Sequence, residues 1–338
     1  MRAWLALLAG LAIGGAGGAG AATIEVGPGR SVESPAAGVA AAADGDVVLI
    51  DAGEYYECLR LRTDGVTVAG RGAGAVFTDT TCDGKAIIVA SADRIVLRNL
   101  TLQRARVGDG NGAGVRAEGR RLEIENVRFL NDQAGLISTG RADAEIVISD
   151  SVFEGAGRCE GGRCGTAINA GAIRWLRVER SRIGGTVGGH AVVSAAASTQ
   201  IVGSTIEDGA QGGASFQLVI AGGGIVLVED CTIQKGPRAA NLRAAILLDG
   251  DIGGTVTLRR NRYLNETGRA VPFVLDWSNA TPRLEGNTVA KGDAEISSDG
   301  VMAHRAVSLA REAKDAARAA AGAAKRGAAE IYHRLRGN

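Results

Sequence analysis

His190 is the one histidine that lies among the repeats of this chain; His304 and His333 fall in the C-terminal tail. At the lip of a groove, an imidazole can take a proton as general base or hydrogen-bond a sugar. The other reading is a loop histidine whose ring bonds a backbone carbonyl. Arg116 and Arg243 can each give a carboxylate two parallel hydrogen bonds. Together with His190 they make a candidate catalytic set for β-elimination on a uronate: arginine neutralises the carboxylate and His190 takes the proton. Arg104, Arg106, Asp109 and Asn111 cluster with Arg116 around one stretch, and Arg238 and Asn241 accompany Arg243 in another. With Asn169 and Gln217 these are the candidate substrate-binding residues. Either cluster reads as well as a solvated, salt-bridged loop.

Five cysteines suit an oxidising compartment. Cys159 and Cys164 flank Glu-Gly-Gly-Arg, a loop able to close on itself. Cys58 and Cys82 are 24 residues apart and could face each other on stacked repeats. Cys231 is left over, as a buried small residue. Metal binding is the alternative for the pairs, but no histidine stands at ligand spacing. Asp249-Gly-Asp251 reads first as a turn, so Ca²⁺ has no clear site and no cofactor is expected.

The elements that must position these residues come from a recurring phrase, apolar-x-apolar-x-(Asn, small or polar)-x-x-apolar. It reads Ile95-Val-Leu97-Arg-Asn99-Leu-Thr-Leu102, then Leu122 to Phe129, Ile146 to Phe153, Leu176 to Ile183, a weaker copy ending at Ile206, Val226 to Ile233, Val256 to Tyr263, and a last copy ending at Val289. Repeats of this period carrying short alternating strands mark a solenoid. A lone strand cannot bury its apolar face, whereas stacked coils can. Leucine-rich repeats share the period but need leucine at fixed offsets and a helical back. Here the intervals are glycine-rich and β-branched. The expectation is an all-β solenoid, a right-handed parallel β-helix with three strands per coil and about nine coils. The Asn99 and Asn126 position is where the chain bends sharply between two strands. This pattern resembles the pectate-lyase-like superfamily.

Composition agrees. The chain has 338 residues, 46% of them hydrophobic, 4% aromatic, 51 glycines and a net charge of +1. That is ample for one core, gives no global field for nucleic acid, and leaves few aromatic platforms. Residues 1–22 read as a secretory signal, too short and glycine-rich for a span, which predicts a periplasmic or secreted protein with no transmembrane segment afterwards. Residues 23–300 are the β-helix. Ser34-Pro35 opens a short helix able to cap its N-terminal end. Gly45-Asp46 through Gly53-Glu-Tyr55 resembles the opening coil of many secreted β-helix proteins. Residues 301–338 read as an Ala-rich, basic helical tail.

A narrower resemblance rests on Lys85 to Val89, Arg104 to Arg116, Gly189-His190, Ala214-Ser215-Phe216, Gly222-Gly223, and Gln234-Lys235-Gly236-Pro237 with Asn241. In this order they are similar to a large bacterial group of exported β-helix proteins known by its fold, over about residues 45–275. The group carries an outward Lys, a Tyr-Glu and an outward Tyr where this chain has Val193, Phe216-Gln217 and Asn169. Motifs of other β-helix enzymes are missing. There is no paired-Asp signature of polygalacturonase-like or pectin-methylesterase-like enzymes, and no Asp-Pro-His of alginate epimerases.

Two function classes follow as expectations. One is an exported protein that binds or processes an acidic polysaccharide, as a lyase. The other is a non-catalytic relative acting as glycan-binding or envelope scaffold. Strand alternation places Val115, Leu136, Ile168, Val192, Phe216, Ile246 and Phe273 inward. It places Arg116, Ile137, Asn169, Val193, Gln217, Leu247 and Val274 outward. Four aliphatics on an outer face need a cover, from loops 154–165 and 234–244, from the C-terminal helix after Val301, or from a protein partner.

Overall fold

The computed structural model describes residues 20–160 and 163–298. Most of the expected signal and all of the expected tail lie outside the described residues. Each coil gives one strand to each of three parallel sheets, of 11, 9 and 10 strands in the order the chain visits them. Strands of one sheet are joined through the other two, a crossover that L-residues make right-handed. The chain is the parallel β-helix that its repeats require.

The repeated phrase builds the first sheet, the bend and the second sheet. Ile95, Leu97, Leu122, Ile124, Ile146, Ile148, Leu176 and Val178 are buried, while the residues between them face out. The closing residues Leu102, Phe129, Phe153, Ile183, Ile206, Ile233 and Tyr263 line the core. Phe129 and Phe153 stack with centroids 4.2 Å apart. At the bend, Asn99, Asn126, Asp150, Arg180, Gly203, Asp230, Arg260 and Gly286 all have φ between 44° and 62°. Asn, Asp and Gly tolerate this region. The two arginines are held there by bidentate pairs to the same position one coil earlier, Arg180 to Asp150 and Arg260 to Asp230. Asn126 Nδ2 donates to Asn99 Oδ1 at 2.8 Å.

Just inside the bend runs a ladder of side-chain acceptors. The amides of Val127, Ser151 and Ser181 donate to the hydroxyls of Ser151, Ser181 and Ser204, each at 3.1 Å. The Cys231 and Asn261 amides donate to Asn261 and Asn287. Turn amides that the sheets cannot pair are thereby satisfied inside the protein. Cys231, free and buried, is one rung of this ladder. At the N-terminal end the helix Pro35–Ala41, capped by Ser34, sends Val39 into the core.

Both expected disulfides form, Cys58–Cys82 and Cys159–Cys164, with Cα separations of 5.4 Å and 3.8 Å. The reason given for the first needs correcting. The two cysteines are not at equivalent coil positions, because Leu59 stacks on Ile88. Cys82 arrives instead through a loop that turns back on the strand Ala86–Ala90, its amide donating to Ala86 O at 2.7 Å.

The third sheet departs from simple alternation. Its strands begin with two successive inward residues, such as Ala191 and Val192, or Ala167 and Ile168. On earlier coils the first of the two is glycine. A Cβ on Gly114 would lie 2.6 Å from Phe129, and one on Gly135 would lie 2.5 Å from Phe153. The extra inward residue shifts the phase, and the expected alternation began too early, by two places at Phe216 and by one at Phe273. Phe216, expected inside, pairs with His190 and joins an outer cluster with Val219, Ala244, Leu247, Leu275 and Trp277. Gln217, expected outside, is fully buried on the inner side. Val274, expected outside, is in the core, and Leu275 takes the outer place.

Candidate functional site

The outer face of the third sheet carries two columns. One runs Ala113, Ala134, then Thr166, His190 and Phe216 on later coils. The other runs Val89, Arg116, Ile137, Asn169, Val193, Val219, Leu247 and Leu275. Ile137, Asn169 and Val193 are half-buried, and the last three are buried. Ala244 of the 234–244 loop packs into this cover.

The three candidate catalytic residues are not brought together. Arg116 and His190 sit three strands apart, about 14 Å at the usual strand spacing. Arg243 lies beyond His190, its guanidinium 4.2 Å from the centroid of Trp277. Arg116 is half-buried, and its Nε is buried with no partner.

The loop before Arg116 is pinned from below. Gln133 Oε1 accepts from the amides of Val107 (2.9 Å) and Gly112 (2.8 Å), and Asp132 accepts from Ala105 at 2.7 Å. Arg104 is spent on Asp79, whose carboxyl it holds down at about 2. Arg106 donates to Ala105 O, and Asp109 accepts weakly from the Asn111 amide. Asp109 and Asn111 are exposed. Asp132 is completely buried, and loss of water pushes its carboxyl well above the usual range.

His190 is set by its loop. A Cβ on Gly188 would lie 2.5 Å from Cys159 Sγ, and Gly189 has φ 60° against Cys164 and Gly165. The disulfide hairpin and the glycines therefore fit each other closely and fix where the strand His190–Ser194 begins. The ring lies 5.7 Å from Phe216. Its Nδ1 is buried without a partner, so Nε2 is the nitrogen that reaches solvent. Burial first, and Lys235 second, lower its pKa and keep it neutral. An orphaned buried N–H costs more than an orphaned lone pair. The proton therefore belongs on Nε2, making the accessible nitrogen a donor.

Behind this ring lies a set of charges that sequence reasoning left without a role. Lys235 is wholly buried, its Nζ donating to Ser215 O at 2.9 Å and reaching Gln217 Oε1 at 3.4 Å. Loss of water brings its pKa down to about 8, against the pull of Asp208. Asp208 accepts from the amides of Ala214 and Gly236, at 2.9 Å and 3.0 Å, and burial raises its pKa. The signal was there: Asp208 and Lys235 are 27 residues apart, one coil, with opposite charge. Gln217 serves this network, not a ligand. Asn241 clamps its own loop, donating to Ser215 O and accepting from the Arg243 amide at 2.5 Å. Arg238 is exposed beside it. Among the described residues no three of His, Cys, Asp and Glu gather as a metal site.

No family model and no curated protein matches this sequence. Among solved structures, pectin methylesterase PemA from Erwinia chrysanthemi is 12% identical, with TM-score 0.45 over 84% of this chain and 94% of that one. Escherichia coli YbhC is 14% identical, with TM-score 0.44 over 70% and 76%. The A-module of Azotobacter vinelandii mannuronan C-5 epimerase AlgE4 is 14% identical, with TM-score 0.39 over 75% and 91%. At these values the activities in those names stay with those proteins.

Proposed function

We propose that this is an exported protein that binds an acidic polysaccharide along the outer face of the third sheet, without cleaving it. The observation that carries the reading is Arg116, an outward cation whose Nε is already stripped of water and has no partner. Its terminal nitrogens are not sealed off in the same way, and an anionic oxygen is the group they would best pair with. Strands follow one another at ~4.8 Å, close to the rise of one pyranose in an extended chain, so successive sugars would meet successive coils. From Arg116 to His190 the face offers Asn169, Thr166 and the His190 Nε2 donor to hydroxyls. Against turnover stand the separation of Arg116 from His190 and the tautomer of His190, whose solvent-facing nitrogen has no lone pair to take a proton. Two disulfides support export, and no described helix is long and apolar enough to cross a membrane.

The test is affinity electrophoresis through alginate, pectate and glycosaminoglycan gels, with unsaturated-uronate absorbance followed in parallel. Retention should weaken with salt, and Arg116→Ala should reduce affinity about tenfold, the cost of one charge-assisted bond. No retention on any of the three removes the reading. Unsaturated product that disappears in His190→Ala would establish the lyase reading in its place.

A further inference from the structure

We propose that Lys235 is a positioning residue for His190: its buried ammonium sets both the place and the protonation state of the ring that the binding face presents. The inference rests on the reading of that face given above, but its structural basis is independent of any ligand.

The mechanical link is two hydrogen bonds in series through Ser215, with Asn241 as a second donor to the same carbonyl. Lys235 Nζ and Asn241 Nδ2 both donate to the carbonyl of Ser215. The Ser215 amide donates to Gly189 O at 2.7 Å. Gly189 is the residue before His190, held at positive φ against the disulfide hairpin. The electrostatic link runs past Phe216. Lys235 Nζ lies 5.9 Å from the centroid of that ring and the His190 ring lies 5.7 Å from it, so the buried ammonium and the half-buried imidazole share one apolar neighbour. A second positive charge on the imidazole is disfavoured there.

The groups that bear on this pair are few. Asp208, at the end of the strand Thr205–Glu207, is the counter-charge to Lys235. Arg158 on the hairpin, and Arg238 and Arg243 on the loop after Lys235, are exposed cations on neighbouring elements, where solvent screens them. The strand Thr166–Gly171 below His190 brings no charge.

The consequence concerns ligand choice. A neutral, fixed Nε2–H donor recognises hydroxyl or carbonyl oxygen and is indifferent to pH. An imidazolium would add a second anion contact and make binding tighten in acid. Lys235 thus leaves carboxylate recognition to Arg116 and hydroxyl recognition to His190.

The experiment is an NMR titration of the His190 ring in the intact protein, in wild type and in two variants. Lys235→Gln keeps a donor for Ser215 O and removes the charge. Lys235→Met removes both. In Lys235→Gln the His190 titration midpoint should move up while the Gly189 and Ser215 amide shifts stay near wild type. In Lys235→Met those amide shifts should move as well. The polyuronate affinity of Lys235→Gln should rise as pH falls through the new midpoint, where wild type stays flat. An unchanged midpoint in Lys235→Gln, with the fold intact by its amide spectrum, overturns the proposal. If the midpoint moves but no polyuronate binds either protein, the positioning stands and the binding reading falls.

Discussion

Lys235 shows what a single side chain can decide. In the unfolded chain a lysine titrates near 10.5; here it does so at about 8. The folded state therefore binds fewer protons than the unfolded state between these values, and stability rises with pH across that window. Below pH 8 the full penalty is present, on the order of 3 kcal/mol for such a shift. Urea midpoints from pH 7.5 to 10.5 should climb more steeply in wild type than in Lys235→Gln. Parallel slopes would show that the ammonium carries no such penalty. Cys231 gives the opposite expectation. It occupies a rung filled by serine on the three coils before it, its Sγ near Glu229 O and Ile201 O. Cys231→Ser should keep those bonds and change stability by less than about 1 kcal/mol, measured by denaturant titration. At this scale the sequence was partly legible. The positive-φ bend at Asn99 and Asn126 could be read from residue type, because few side chains tolerate it. The burial of Lys235 was hinted at only by Asp208 one coil earlier, since a lysine at the end of a strand reads by default as solvated.

At the scale of elements, the strands were legible and their phase was not. Apolar alternation located the first- and second-sheet strands, since each holds a plain period of two. The third-sheet strands open with two inward residues, and that kink depends on Phe129 and Phe153 pressing on Gly114 and Gly135 from another sheet. No local pattern records such a contact, so Phe216, Gln217 and Val274 were misplaced while Ile137, Val193 and Leu247 were placed correctly. Val193 packs against the outer cluster that contains Ala244 of the covering loop. Val193→Asp should therefore destabilise by about 1–3 kcal/mol, read as a drop in melting temperature. An unchanged melting temperature would mean that the cover is not packed. The candidate site was legible as residue types but not as an assembly: Arg116 and His190 lie on the expected face three strands apart, and Arg243 sits on a loop over Trp277.

For the whole molecule, the solenoid converts a repeat in sequence into a ruler in space. Its coils set Arg116 and His190 four strands apart counting both, on one face, with Asn169 and Thr166 between them. If this face holds an acidic glycan sugar by sugar and releases it uncut, as proposed, its affinity must depend on ligand length. Calorimetric titration with oligouronates of increasing length tests it most directly. Affinity should grow with each added sugar to about four units, one per strand at ~4.8 Å, then level off, with Arg116→Ala lowering the whole series and no unsaturated product formed. Affinity that ignores length, or binding that Arg116→Ala leaves intact, would contradict the account.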